Sequence, residues 1–192
     1  MLSRRLSEAL RPPAEADLLT GDMIERDGLD AAAAAVLIAV TDRTEPGVIL
    51  TTRRENMRTH AGQVAFPGGR IDDGETPTAA ALREAREEIG LDPQQVDPLI
   101  ELEAYRTVTD FFVTPVLAVV PPDLPLYPHE QEVADVFEVP LAYVLDPANQ
   151  LRRSALFQGR ERHYYEIIWD EHRIWGATAA MIVNLSRRLR WS

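Results

Sequence analysis

The stretch that most constrains this chain runs from Gly69 to Leu91, with the sequence GRIDDGETPTAAALREAREEIGL. The segment after Glu75 carries start and stop signals for one helix. Thr76 is suited to cap the N-terminus, and Pro77 suits the first turn, where its missing N–H breaks no hydrogen bond. Gly90 suits the left-handed position that follows a helix end. The sequence therefore predicts a helix with both ends defined locally.

The faces of this helix differ sharply in chemistry. At about 100° per residue, Glu84, Glu87 and Glu88 lie on one side, because positions three and four apart are neighbours on a helix surface. Crowded carboxylates repel one another, and a hard divalent cation such as Mg²⁺, which prefers oxygen ligands, would relieve that repulsion. A solvated acidic face is the alternative explanation, because Glu and Arg are common on helix surfaces. The apolar residues on the opposite side are Leu82, Ala85 and Ile89.

Composition excludes several classes of protein. With 192 residues, of which 45% are hydrophobic, we expect a single domain spanning 1–192, in which 1–30 forms an N-terminal helix and an irregular extension. The chain has no cysteine, so disulfides, thiolate metal sites and cysteine nucleophiles are excluded. The net charge of −11 argues against non-specific nucleic-acid binding. The negative charge does not argue against a small phosphorylated substrate, because bound metal ions can invert the local electrostatic field.

Targeting signals are not evident in the sequence. No apolar run approaches the roughly 20 residues that cross a bilayer, so we expect no membrane association. Arg4 and Arg5 are not followed by the apolar core of a secretory signal, which leads us to expect a cytoplasmic location.

Periodicity along the rest of the chain predicts a mixture of strands and helices. The expected strands are 31–40, 48–52, 98–107, 111–120 with Pro115 at an irregularity or an edge, 133–139, and alternating segments within 152–175. The expected helices are 1–10, 140–145 and an amphipathic closing helix at 176–189, in which Ala180, Val183 and Leu185 oppose Asn184, Arg187 and Arg188. Such a pattern predicts an α/β fold.

A second informative stretch, RRENMRTHAGQVAFPGG, precedes the acidic helix. Its arginines Arg53, Arg54 and Arg58 are candidates for phosphate binding, because guanidinium groups match phosphate oxygens in a forked geometry. Pairing with surface carboxylates is the alternative role. His60, within the same stretch, is a candidate either for a substrate contact or for a structural hydrogen bond. The histidines show no zinc spacing.

The spacing of the acidic stretch resembles the signature box of the Nudix hydrolases. The matching positions are Gly69, Glu75 after five intervening residues, Arg83-Glu84 after seven more intervening residues, then Glu87-Glu88 and Gly90-Leu91. Ala85 stands where the family usually has a larger aliphatic residue, which concerns packing rather than chemistry. The resemblance implies the Nudix α/β/α sandwich, with a mixed curled sheet between the acidic helix and the closing helix.

The segment before the box resembles the extra signature of the coenzyme A diphosphatase branch of that family. Its matching positions are Leu50-Thr51, Arg53, Arg58, Gly62 and Phe66-Pro67-Gly68-Gly69, whereas Ile49 and Arg54 depart from the pattern. The resemblance continues more loosely through 121–125, 133–141 and 175–179. It implies hydrolysis of coenzyme A or its derivatives to 4′-phosphopantetheine and adenosine 3′,5′-bisphosphate.

The resemblance also implies roles for individual residues. Mg²⁺ or Mn²⁺ would bind Glu84, Glu87 and Glu88, with the Gly69 carbonyl, and the base that activates water would be Glu84, Glu130 or Glu132. The residues expected at the substrate are Arg53, Arg54, Arg58, His60 and Phe66, and those expected to support the site are Glu75, Arg83 and Gly90.

Two other functions stay open at this point. One is a Nudix hydrolase of another diphosphate, such as ADP-ribose, a dinucleotide or an oxidised nucleoside triphosphate. The other is a non-catalytic module of the same fold that senses a nucleotide or binds a partner protein. The expected partner is a small-molecule substrate, and a homodimer also stays open, because apolar interface cannot be separated from core in a sequence.

Overall fold

The computed structural model describes residues 1–12, 16–22, 31–54, 62–157 and 160–191. The helices in these ranges are α1 (Leu2–Ala9), α2 (Pro77–Ile89), α3 (Leu141–Leu145) and α4 (Ala177–Arg188). The strands are β1 (Ala32–Thr41), β2 (Gly47–Arg53), β3 (Val64–Ala65), β4 (Gly68–Arg70), β5 (Asp97–Glu101), β6 (Tyr105–Arg106), β7 (Phe111–Val120), β8 (Val133–Pro140), β9 (Leu151–Phe157), β10 (Arg160–Trp169) and β11 (His172–Trp175). The predicted α/β composition is confirmed.

The large sheet is mixed, as predicted. β1 and β7 run parallel along their whole length, from Ala32 opposite Phe111 to Thr41 opposite Val120, whereas β2 and β8 pair antiparallel. β1 and β2 pair only where Val40 meets Val48, and beyond that point they diverge. β3 then pairs with β2 and β4 with β1, so the chain before α2 fills the gap between the diverging strands. This divergence places the backbone of Gly68 and Gly69 in the sheet, beside the residues that later form the site.

Helices cover both faces of this sheet. Successive side chains of a strand point to opposite faces, and along β1 Leu37 and Ala39 pack with α2, whereas Ile38 and Val40 pack with α4. Apolar side chains on both faces are buried, and their removal from water provides the main stabilisation of the fold. The α/β/α sandwich is therefore confirmed.

One predicted strand differs from the structure. The expected strand 98–107 is interrupted and forms β5 and β6, which pair with different parts of β7. Pro115 lies opposite the interruption, where its carbonyl accepts a hydrogen bond from the Leu102 N–H. Proline has no N–H to donate to a ladder, so the neighbouring strand breaks at this level.

Arg188 corrects the predicted polar face of the closing helix. Its side chain is buried, and its guanidinium pairs with Glu103. A buried guanidinium needs such a partner, because an unpaired charge is strongly disfavoured away from water. The side chain of α4 that was expected to be solvated therefore belongs to the packed interior.

A smaller sheet, in the order β11-β10-β9, packs beside α3 and α4. Tyr143 on α3 meets Trp169 on β10 edge to face, with ring centroids 4.7 Å apart. Among the described residues, no helix is both long enough and apolar enough to cross a membrane.

Candidate active site

The acidic helix α2 begins and ends as the sequence predicts. The hydroxyl of Thr76 accepts a hydrogen bond from the Ala79 N–H at 3.1 Å, and Pro77 occupies the first turn. Gly90 follows the helix in the left-handed conformation, with a φ of 69°. Glu101 on β5 adds a tertiary contact, because its carboxylate accepts hydrogen bonds from both the N–H and the hydroxyl of Thr78. The helix is therefore held at its N-terminus by both local and long-range hydrogen bonds.

The helix glutamates differ in exposure, which corrects the prediction of one shared acidic face. The side chain of Glu87 is 61% exposed, that of Glu84 is 17% exposed and that of Glu88 only 6%. Glu88 lies on the side of α2 that packs against the sheet, beside Ala85 and Ile89. Sequence periodicity could not predict this burial, because it depends on glycines in the facing strand.

Glu88 is bound to the sheet through Gly68. Its Oε2 accepts a hydrogen bond from the Gly68 N–H at 3.0 Å, and its Oε1 lies 3.7 Å from Nη1 of Arg53. Burial raises the pKa of Glu88 to about 7, against the opposing effects of the Gly68 N–H and Arg53. The negative charges of Glu84 and Glu132 also raise this pKa, so both carboxylates are close enough to act on it.

Glu84 rests against the backbone of Gly69. A Cβ atom built at Gly69 would overlap the carboxylate of Glu84, and one built at Gly68 would overlap the Ala35 carbonyl oxygen and the Val36 backbone. At Gly68 such an atom would clash with β1, and at Gly69 it would displace the carboxylate of Glu84. The two glycines therefore allow the acidic side chains to approach the main chain of the sheet, and Gly69, the predicted carbonyl ligand, adjoins Glu84.

Arg83 connects the helix to the loop before it. Its Nε and Nη2 donate to the two oxygens of Glu75, at 3.0 and 2.9 Å, and Nη2 also donates to the Arg70 carbonyl oxygen. Its Nη1 donates to Glu84 at 2.8 Å and lies 3.6 Å from Glu87. The Arg83 guanidinium holds the pKa of Glu75 below its usual value. These contacts join Glu75 to Glu84 through Arg83, and the supporting role expected for Glu75 and Arg83 stays a prediction.

The loop between β7 and β8 is fastened to the C-terminal end of α2. The Tyr127 N–H donates to the Ile89 carbonyl at 2.9 Å, and the His129 N–H donates to the Glu88 carbonyl at 2.8 Å. Glu132 follows in the same loop, where its N–H donates to the His129 carbonyl. Its own carbonyl accepts from the Arg54 N–H at 3.0 Å. These backbone contacts were missed by sequence reasoning, because main-chain partners leave no trace in residue type.

The remaining predicted residues are placed as follows. Glu130 and Arg54 are exposed, and Phe66 is buried in the core on the α4 side, so in this arrangement its ring has no face open to a substrate. Arg58 and His60 lie outside the described residues.

The donor set suits a hard divalent cation. Glu84, Glu88 and the Gly69 backbone offer only oxygen, the donor type that Mg²⁺ and Mn²⁺ favour. As the side chains stand, no three carboxylates or imidazoles in the described ranges converge closely enough to hold an ion. The carboxylates pair with guanidinium groups instead: Arg83 forms an ion pair with Glu84, and Arg53 forms a longer one with Glu88. A cation at these carboxylates would compete with the two guanidinium groups for the same oxygens.

Comparison with known proteins agrees with this geometry. The NUDIX domain family model matches residues 31–158. Two proteins named as uncharacterized Nudix hydrolases NudL are similar over 86% of this chain and 87% of their own length: one from Escherichia fergusonii at 42% identity over 168 residues, and one from Cronobacter sakazakii at 43% over 173 residues. The solved Nudix hydrolase RenU from M. smegmatis superposes with a TM-score of 0.53 at 24% identity, over 67% of this chain and 82% of that one, which shows the fold alone.

This chain belongs to the Nudix family. It is a hydrolase that acts on pyrophosphate bonds in nucleoside diphosphate derivatives. Hydrolases of this family generally use divalent metal ions such as Mg²⁺ or Mn²⁺.

Proposed function

We propose that this enzyme hydrolyses the diphosphate bond of coenzyme A or its derivatives, giving 4′-phosphopantetheine and adenosine 3′,5′-bisphosphate. The observation that carries the proposal is the position of Arg53, whose guanidinium lies 3.7 Å from the buried carboxylate of Glu88. Arg53 belongs to the segment 50–69 that resembles the coenzyme A diphosphatase branch. A phosphate-binding group of that segment therefore stands beside the acidic cluster on which the chemistry depends.

The acidic residues supply the metal-binding part of the site. A divalent ion held by Glu84, Glu87, Glu88 and the Gly69 carbonyl would neutralise diphosphate oxygens and assist the activation of water. Arg83 fixes Glu84 relative to Glu75 and the loop after β4, so the ligands start from defined positions.

Proton transfer and charge stabilisation fall to other side chains. Glu84, Glu130 and Glu132 are the candidates for the base that takes the proton of the attacking water. Glu132 has the better support, because its charge already acts on Glu88. Arg53 stabilises the negative charge of the departing phosphate, with Arg58 of the same segment as a second candidate.

A Nudix hydrolase with another diphosphate substrate is the alternative. The Arg53–Phe66 stretch argues against it, because its arginine and glycine positions follow the coenzyme A branch. A non-catalytic sensor is disfavoured, because all the box glutamates are present.

Product analysis tests the proposal. The protein is incubated with Mg²⁺ and with coenzyme A, an acyl-coenzyme A, ADP-ribose, a dinucleoside polyphosphate or an oxidised nucleoside triphosphate. We expect coenzyme A or its acyl derivative to give the highest kcat/KM, with phosphopantetheine and adenosine bisphosphate as products. A higher kcat/KM for any of the other compounds would overturn the proposal.

A further inference from the structure

A groove lies on the α2 face of the large sheet, between β8 and the loop that follows β7. Its volume is about 310 Å³, at the lower end of the range for small-molecule sites. Apolar side chains of Ile49, Leu124, Leu126 and Val136 line it, and Leu124, Leu126 and Val136 are only partly buried. Covering such an apolar surface with a ligand is favourable, because it removes apolar area from water.

The groove starts close to the acidic cluster. Pro128, at its edge, directly precedes His129, whose N–H is bonded to the Glu88 carbonyl. On the other wall, β8 begins immediately after Glu132, and the lining residues run from Asp135 to Glu138. At about 3.3 Å per strand residue, the lining extends from roughly 10 to 20 Å beyond Glu132. A ligand anchored at the acidic cluster needs a long, thin extension to occupy it.

Charge limits what that extension is made of. Among the described residues that line the groove, Asp123, Asp135 and Glu138 are acidic, and Arg43 is the one basic residue. Arg43 is already paired, with Nη2 3.3 Å from Asp123 and 3.1 Å from Glu138. A phosphate group would meet an excess of negative charge here, whereas N–H and O–H donors would meet carboxylate oxygens that only accept.

We infer that this groove binds the uncharged, amide-bearing arm of the substrate, the pantetheine half, and leaves the phosphorylated adenosine half outside it. The inference rests on the proposed function. The arm has apolar methylenes for the floor, and amide N–H and hydroxyl donors for the carboxylates. Extended, it measures about 15 Å, roughly the reach of four to five extended residues, which brings its end to the middle of the lining on β8. The adenosine half carries an additional phosphate, which the groove would repel.

Product inhibition tests the inference, because each product represents one half of the substrate. Val136→Phe and Leu124→Trp fill the groove from positions outside the acidic helix, and having two variants guards against misfolding of either one. Coenzyme A hydrolysis with Mg²⁺ is measured while 4′-phosphopantetheine or adenosine 3′,5′-bisphosphate is added. We expect Ki for phosphopantetheine to rise at least about tenfold in both variants, with Ki for adenosine bisphosphate changed less than about twofold. Ile168→Phe, on the exposed side of the smaller sheet, is the control that should change neither constant.

The outcomes separate the two proposals. If the unsubstituted protein does not hydrolyse coenzyme A, the proposed function fails and the assignment of the groove fails with it. If it hydrolyses coenzyme A but both folded variants keep the original Ki for phosphopantetheine, only the groove assignment fails. A selective rise in Ki for adenosine bisphosphate would place the other half of the substrate in the groove and would also overturn the assignment.

Discussion

Glu88 accepts a hydrogen bond from the Gly68 N–H at 3.0 Å, and this contact joins the acidic helix to the strand before it. Gly68 can lie this close to β1 because it has no Cβ, which would clash with Ala35 and Val36, and its N–H then lies within reach of Glu88. The contact places a carboxylate inside the protein, where its ionised form loses hydration. The pKa of Glu88, raised to about 7 by burial, is the direct consequence.

Replacing Glu88 with Gln should therefore change stability in a pH-dependent way in metal-free protein. A carboxyl whose folded pKa lies above its unfolded value favours folding in its protonated form, so native stability falls as the pH rises from about 4.5 through 7. Glu88→Gln keeps an acceptor for the Gly68 N–H and does not ionise. Relative to the unsubstituted protein, it should gain on the order of 3 kcal/mol between pH 4 and pH 8. Urea unfolding in EDTA at several pH values measures this; a constant or shrinking difference would contradict it.

Glu87→Gln should reduce catalysis without affecting the fold. The Glu87 side chain is 61% exposed and contacts Arg83 only at 3.6 Å, so its loss leaves packing unchanged. As a proposed metal ligand, it should lower kcat with Mg²⁺ by roughly 10²-fold or more. Turnover and thermal melting are measured on the same preparation. Near-native turnover would show that the ion is bound elsewhere.

Glu132→Gln and Glu130→Gln form a matched pair that tests the general base. Both residues are exposed and lie in the same loop. Of the two, Glu132 is the one whose negative charge contributes to the raised pKa of Glu88. We expect Glu132→Gln to lower kcat by about 10²–10⁴-fold and Glu130→Gln to leave it nearly unchanged. Steady-state rates across pH compare the two variants, and the reverse order would assign the base to Glu130.

Alanine at the two neighbouring glycines should give different defects. At Gly68 the added Cβ meets the backbone of Ala35 and Val36, which cannot move alone, so Gly68→Ala should lower the free energy of unfolding by about 1–3 kcal/mol. At Gly69 it meets the end of the Glu84 side chain, which can rotate. Gly69→Ala should therefore lose activity, through displacement of Glu84, more than stability. Urea unfolding and turnover with Mg²⁺ together distinguish the two, and equal losses of stability would refute the distinction.

Much of the architecture could be predicted from local sequence. Thr76, Pro77 and Gly90 define the ends of α2 through backbone preferences that act over a few residues. The continuous apolar run of 31–40, which ends in VLIAV, predicts a buried strand, and the structure confirms it, with side chains packed on both faces. The strand 98–107 was predicted as continuous because its interruption depends on Pro115, a residue on the neighbouring strand.

Less of the candidate site than of the fold could be predicted from the sequence. Spacing correctly located Glu84, Glu87 and Glu88 on one helix, but it placed all of them on the side opposite Ala85 and Ile89, whereas Glu88 is buried beside these two residues. The residues that give these glutamates different surroundings lie elsewhere in the chain. Gly68 and Arg53 contact Glu88. Arg83 joins Glu84 to Glu75. The same limit applies to Arg188, whose burial depends on Glu103.

The sequence by itself determined the helix, its caps, its acidic residues and the family to which the chain belongs, because these features depend on residue type at short spacing. Only the tertiary structure decided which carboxylate is buried, which guanidinium it faces and where a groove opens beside it. The divergence of β1 from β2 contributes to the burial of Glu88 by placing Gly68 and Gly69 in the sheet beside α2. Burial and charge proximity depend on contacts between distant segments, and these exist only after the sheet has assembled.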